Sequence, residues 1–243
     1  MKPQAIAPKN RNRLLVHVHG GAYVFGGGEA AAGEAVLMAN FGRIEVVSVD
    51  YRMPPDFPFP AALDDALAVW KEIAGSRDTK KMGLFGTSAG GGMTLAMVLK
   101  MKDLRMPLPG AIVAGTLWSD MTKTGDTFYT NEFVDSRLGS SDGLIEAAAK
   151  LYANKHDLKE PLLSPVYGDL RGFPPAILLS GTRDLFLSDT VRVHQKLLQA
   201  GSVAELLVFE AESHAQYAQA PDTPETAAAW NEVSKFFDWH LGR

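Results

Sequence analysis

The chain has 243 residues, 46 % of them hydrophobic and 21 % charged, which is enough to bury one large core. Its net charge of −4 gives no electrostatic case for nucleic acid or an anionic membrane surface as partner. With no cysteine, disulfides and thiolate metal sites are excluded.

The first thirteen residues are polar and basic, with no apolar stretch of the secretory type. Together with the absence of cysteine, this gives a cytoplasmic location as the expectation. No apolar run approaches the roughly 18 residues of a membrane span.

The elements follow in chain order. Leu14 to Val18 is a continuous β-branched apolar run, the pattern of a strand buried on both faces. The loop His19-Gly20-Gly21-Ala22 leaves it, and a helical pattern runs from Glu29 to Asn40. Ile44 to Val49 is the second strand. Four prolines between Tyr51 and Pro60 then preclude regular structure and predict a stiff loop into a helix over Ala61–Ile73. Met82 to Phe85 is the third strand and Ala89 to Met101 the helix after it.

Further strands are predicted at Ala111–Ala114, Ala176–Leu179 and Ala204–Phe209, with helices over Asp189–Ala200 and Thr223–Leu241. This alternation implies a mostly parallel, doubly wound α/β sheet. One connection, between the strands at Ala111 and Ala176, is about sixty residues long, where loops of 2–6 are usual. It holds a short amphipathic pattern at Leu144–Ala153 and is expected to form a lid or pocket wall. The chain is thus expected to be one domain, 1–243, with an insertion at about 120–169.

Between the third strand and its helix stands Gly86-Thr87-Ser88-Ala89-Gly90, which reads G-x-S-x-G. A serine on a sharp strand-to-helix turn has its hydroxyl pushed out of the backbone, and glycines beside it avoid collision with neighbouring elements. A serine hydroxyl is a weak nucleophile without a base, and the base needs an orienting carboxylate. In an open parallel sheet such partners gather past the carboxyl ends of strands.

Of six histidines, His17, His194 and His240 fall inside predicted elements and His156 inside the insertion. His214 lies just past the last strand and is the expected base. Asp184, just past the strand at Ala176, is the expected carboxylate. Asp189, where a helix should begin, and Asp120 are its rivals. The backbone N–H groups of Ala89, Gly20 and Gly21 are candidate donors to an oxyanion. His19 is expected to brace its loop. Tyr23, Phe25, Trp118 and Tyr217 are candidate pocket walls by position, with core packing the equal alternative.

These residues carry a resemblance. His19-Gly20-Gly21-Ala22-Tyr23 is similar to the H-G-G-G/A motif of the hormone-sensitive-lipase-like esterases, bacterial family IV of the α/β-hydrolase superfamily. Gly86-Thr87-Ser88-Ala89-Gly90-Gly91 resembles their G-D/T-S-A-G-G motif in its threonine form. Tyr51-Arg52, with Phe57-Pro58-Phe59-Pro60-Ala61-Ala62, is similar to a further family segment. The resemblance implies an α/β-hydrolase fold and hydrolysis of small-molecule carboxylic esters with short to medium acyl chains. It implies Ser88 as nucleophile, His214 as base, Asp184 as its partner, and no cofactor or metal. A lactone, amide or carbamate hydrolase would use the same machinery, and a non-catalytic ligand-binding relative would keep the same pocket.

The chain departs from the family in one respect. Some seventy residues normally precede the H-G-G motif and supply two strands and cap helices, whereas here the motif begins at His19. The expectation is a sheet without those two strands and a pocket open enough for bulky esters. Apolar surface left uncovered would favour a homo-oligomer.

Overall fold

Four of the apolar runs form strands buried along their whole length: β1 (Leu14–Val18), β3 (Met82–Thr87), β4 (Ala111–Gly115) and β5 (Ala176–Gly181). The computed structural model describes residues 1–3, 5–219 and 222–242. Among these, β2 (Glu45–Val49) and β6 (Ala204–Phe209) are only partly buried, because they close the two edges of the sheet. The order is β2-β1-β3-β4-β5-β6 and every neighbouring pair is parallel. Leu15 pairs with Val46 on one side and Gly83 on the other, which fixes the register at the centre.

Strand alternation divides the core between two faces. Leu14, Val16, Val18, Leu84, Ile112 and Leu178 pack with Trp70 of α2 (Ala61–Ala74) and Leu95 of α3 (Ala89–Asp103). Leu15, Phe85, Val113, Ile177 and Leu179 pack with Met38 of α1 (Gly33–Gly42) and with Trp230 and Phe237 of α8 (Pro224–His240). Each such side chain, fully withdrawn from water, contributes about 1.5–3 kcal/mol. Helix α8 starts at a Thr223 cap whose hydroxyl accepts from the Thr226 N–H, with proline in its first turn.

The helix expected from Glu29 begins later. Residues Gly28–Ala32 form a 3₁₀ turn and α1 starts at Gly33. The long connection after β4 carries α4 (Thr127–Thr130), α5 (Leu144–Ala153) and a 3₁₀ turn at Pro165–Tyr167. Helix α6 (Leu187–Gln199) and the short α7 (Gln216–Gln219) complete the set. Among the described residues no helix is long and apolar enough to cross a membrane.

From β1 the chain goes outward to β2, then crosses back to β3 on the other side of β1. This reversal opens a crevice at the carboxyl ends of β1 and β3, the usual ligand position in open α/β sheets. The His19-Gly20-Gly21 loop and Ser88 both lie there.

Candidate active site

Ser88 has φ 61° and ψ −123° and stands immediately before the first residue of α3. A positive φ at a non-glycine residue costs on the order of 1–3 kcal/mol and persists only where its surroundings enforce it. The enforcement is visible. The Ser88 N–H donates to Gly115 O at 2.9 Å, and its carbonyl accepts from the N–H groups of Gly92 and Trp118 at 3.0 and 3.1 Å. A Cβ at Gly86 would lie 2.3 Å from the Val18 carbonyl, and one at Gly90 would lie 2.1 Å from it. The two glycines therefore let strand β1 and helix α3 close around the turn.

His214 Nε2 lies 2.9 Å from Ser88 Oγ, and His214 Nδ1 lies 2.9 Å from Asp184 Oδ1. Asp184 is fully buried and its second oxygen accepts from Ser180 Oγ at 2.7 Å. A carboxylate can only accept, so Nδ1 carries the proton and Nε2 presents its lone pair to the serine O–H. The ring of Phe186 stands edge-on to the imidazole with centroids 4.9 Å apart, which limits its rotation.

The loop after β1 approaches the serine closely. A Cβ at Gly20 would lie 2.8 Å from the Thr87 carbonyl, and Gly21 has φ 116°, open only to glycine. Ala89 opens α3, so its N–H has no partner within the helix. His19 donates from Nδ1 to the Gly20 carbonyl at 2.7 Å. Its ring stacks on Tyr51 at 3.9 Å, and the Tyr51 hydroxyl donates to the His19 carbonyl at 2.7 Å. The proline-rich loop thus does more than lead into α2, because its first residue braces the glycine loop. Burial pushes His19 below the ordinary histidine range despite the bond to Gly20.

Ser88, His214, Gly20, Gly21 and Phe25 line one cavity of about 400 Å³, with Leu138, Leu144 and Ile145 from the long connection on its wall. The other three expected wall residues lie elsewhere. Tyr23 is 2 % exposed and stacks on Tyr152 at 3.9 Å in the core. Tyr217 is equally buried and its hydroxyl meets Thr87 Oγ1 at 2.9 Å. Trp118 lines a neighbouring cavity of about 320 Å³ beyond Ile145 and Phe128. Tyr23 and Tyr217 face inward because that removes more apolar surface from water than a place on an open cavity does.

The rivals to Asp184 have other duties. Asp189 is fully buried and accepts from the backbone N–H groups of Ser119 and Asp120 at 3.0 and 2.9 Å. Burial, with the charge of Asp120, pushes its carboxyl well above the usual range. Asp120 pairs with Arg192 Nη1 at 2.6 Å.

Sequence reasoning missed Asp135. Its Oδ2 accepts from the Leu185 N–H at 2.9 Å, and its Oδ1 from Arg137, Leu138 and His214 N–H at 2.9, 3.2 and 3.4 Å. It ties the segment before α5 to the loops that carry Asp184 and His214. Asn131 helps, donating to the Thr182 and Asp184 carbonyls at 3.1 and 2.9 Å. Donor atoms of Asp135, Asp184 and His214 lie within 4.8 Å of one another, a spacing a cation could use. Those atoms are already engaged by backbone N–H groups and by each other, which makes the cluster a hydrogen-bonded anchor.

The alpha/beta hydrolase fold family model matches residues 15–218. The chain is 47 % identical to the solved structure of an esterase, E25, with a TM-score of 0.97 over 99 % of this chain and 73 % of that one. The chain belongs to the α/β-hydrolase family. A second solved structure, an esterase of the bacterial hormone-sensitive lipase family, is 31 % identical with a TM-score of 0.91, covering 98 % of this α/β hydrolase and 80 % of that chain. An acetyl-hydrolase of Streptomyces hygroscopicus is 29 % identical over 229 residues, 94 % of this chain and 69 % of its own length. The chain spans 63 % to 73 % of the length of such curated relatives. Within the family this α/β hydrolase is a hormone-sensitive-lipase-like, carboxylic-ester hydrolase.

Proposed function

We propose that this hydrolase cleaves short- to medium-chain carboxylic esters through an acyl-enzyme on Ser88, with His214 as base and Asp184 as its partner. The observation that carries the reading is the unbroken Ser88–His214–Asp184 line, 2.9 Å at each step, opening on one cavity. Ser88 Oγ attacks the ester carbonyl while His214 Nε2 takes its proton. The backbone N–H groups of Gly20, Gly21 and Ala89 hold the oxyanion, where one donor is typically worth about 10²–10³ in rate. His214 then protonates the leaving alcohol. Water repeats the sequence on the acyl-enzyme, and Asp184 stabilises the imidazolium in both halves.

Residues 120–169 act in this reading as a partial cap, since Leu138, Leu144 and Ile145 close one side of the cavity. Phe25, half exposed at the mouth, meets the substrate from the other side. The test is Ser88→Ala, assayed with p-nitrophenyl acetate and butyrate. Its kcat should fall by roughly 10⁴-fold or more, the loss expected when a nucleophile is removed. A fluorophosphonate should label the wild type at Ser88 alone. Near wild-type turnover by the alanine variant refutes the assignment.

A further inference from the structure

The threonine of the nucleophile motif has no part in the mechanism above, yet its side chain is a link in a buried polar chain. Thr87 Oγ1 donates to Glu34 Oε1 at 2.5 Å and meets the Tyr217 hydroxyl at 2.9 Å. The other oxygen of Glu34 lies 3.1 Å from His17 Nε2, and His17 Nδ1 lies 2.9 Å from Ser48 Oγ. Only the carboxylate is acceptor-only. Thr87 Oγ1 and His17 Nε2 therefore each donate to one of its oxygens, and the Tyr217 hydroxyl donates to Thr87. His17 and Tyr217 are buried, and the Glu34 side chain is 12 % exposed.

Glu34 stands in the first turn of α1, 53 positions before Thr87, so the bond ties a separate helix to the residue next to the nucleophile. The motif that Gly86 to Gly91 resembles carries aspartate or threonine at the place of Thr87. We propose that Glu34 is a positioning residue for the nucleophile turn, supplying from α1 the carboxylate that the aspartate form carries at position 87 itself. The inference rests on Ser88 being the nucleophile.

The physical need is clear from the turn. Ser88 is held at φ 61°, a conformation that relaxes unless its neighbours are fixed. Thr87 is the residue through which β3 delivers the serine, and a charge-assisted hydrogen bond fixes its rotamer more firmly than a neutral one. Glu34 and Thr87 also line the cavity of Ser88, and the bond between them is the route by which Glu34 acts on the nucleophile turn. Its loss should show in kcat, through misplacement of Oγ relative to His214, and far less in KM.

The test is a double-mutant cycle with p-nitrophenyl butyrate, using Glu34→Gln, Glu34→Ala, Thr87→Asp and Thr87→Asp/Glu34→Ala. Glu34→Ala should lower kcat about 10-fold or more with KM changed less than about 3-fold, and Glu34→Gln should lie between it and wild type. Thr87→Asp alone sets two carboxylates against each other and should lose at least as much. The double variant should exceed both single variants, since the Tyr217 O–H remains as a donor to the new aspartate.

Wild-type kcat in Glu34→Ala, or a double variant no better than the better single one, overturns the inference. Should Glu34→Ala fail to fold, the isosteric Glu34→Gln and the double variant give the same reading. Failure of the double variant to fold as well assigns Glu34 to packing and also overturns it. Ser88→Ala run alongside separates the two levels. If that variant stays active the nucleophile assignment falls, and if it is dead while Glu34→Ala is unimpaired only this inference falls.

Discussion

Replacing Asp135 with alanine removes the anchor shared by the loops of His214 and Asp184. Four backbone N–H groups lose their acceptor. Those of Arg137 and Leu138 belong to partly exposed residues that water can reach, whereas those of Leu185 and His214 belong to buried ones. Leaving a buried donor unsatisfied costs about 1–3 kcal/mol. Two of them give about 3 kcal/mol, with about 6 kcal/mol as the upper bound. At roughly 2–4 °C per kcal/mol for a chain of this size, the melting temperature should fall by about 6–12 °C.

Activity should fall as well, because one freed N–H belongs to His214 and another to the residue after Asp184. Asp135→Asn keeps one acceptor oxygen and should lose less on both counts. Thermal unfolding and steady-state kinetics on the two variants measure both effects. An alanine variant with unchanged melting temperature and unchanged kcat would refute the reasoning.

Three further outcomes follow from the same geometry. Gly86→Ala forces a methyl to 2.3 Å from the Val18 carbonyl, so the variant should be inactive and melt well below wild type, measured by calorimetry. The His19 ring should titrate below the ordinary value of about 6.5, followed by NMR on labelled histidine. The sign for stability is fixed by that direction: the unfolded chain takes up the proton first, so stability is lost as pH falls below about 6.5. A His19 midpoint above 7 contradicts this account. Prolonged dialysis against EDTA should leave ester turnover unchanged, since Asp135, Asp184 and His214 have their donor atoms engaged. Loss of turnover that zinc or calcium restores would make that cluster a cation site.

Features that depend on neighbours along the chain were legible in the residues alone. The apolar runs were long and β-branched enough to be strands, and glycines flanking a serine between strand and helix marked a turn that only those residues can make. Asp184 and His214 were legible because the sheet confines reactive groups to positions just past strand ends, which the strand pattern already locates.

Tertiary structure decided what depends on contacts across the chain. Glu34 meets Thr87 over 53 positions, and Asp135 meets His214 over 79, with no spacing rule to link them. Polar residues on helices and loops carry no mark of whether they meet water or a buried partner. Tyr23 and Tyr217 sit next to the site in sequence, yet they turn inward, since an aromatic ring follows the burial open to it in the folded chain.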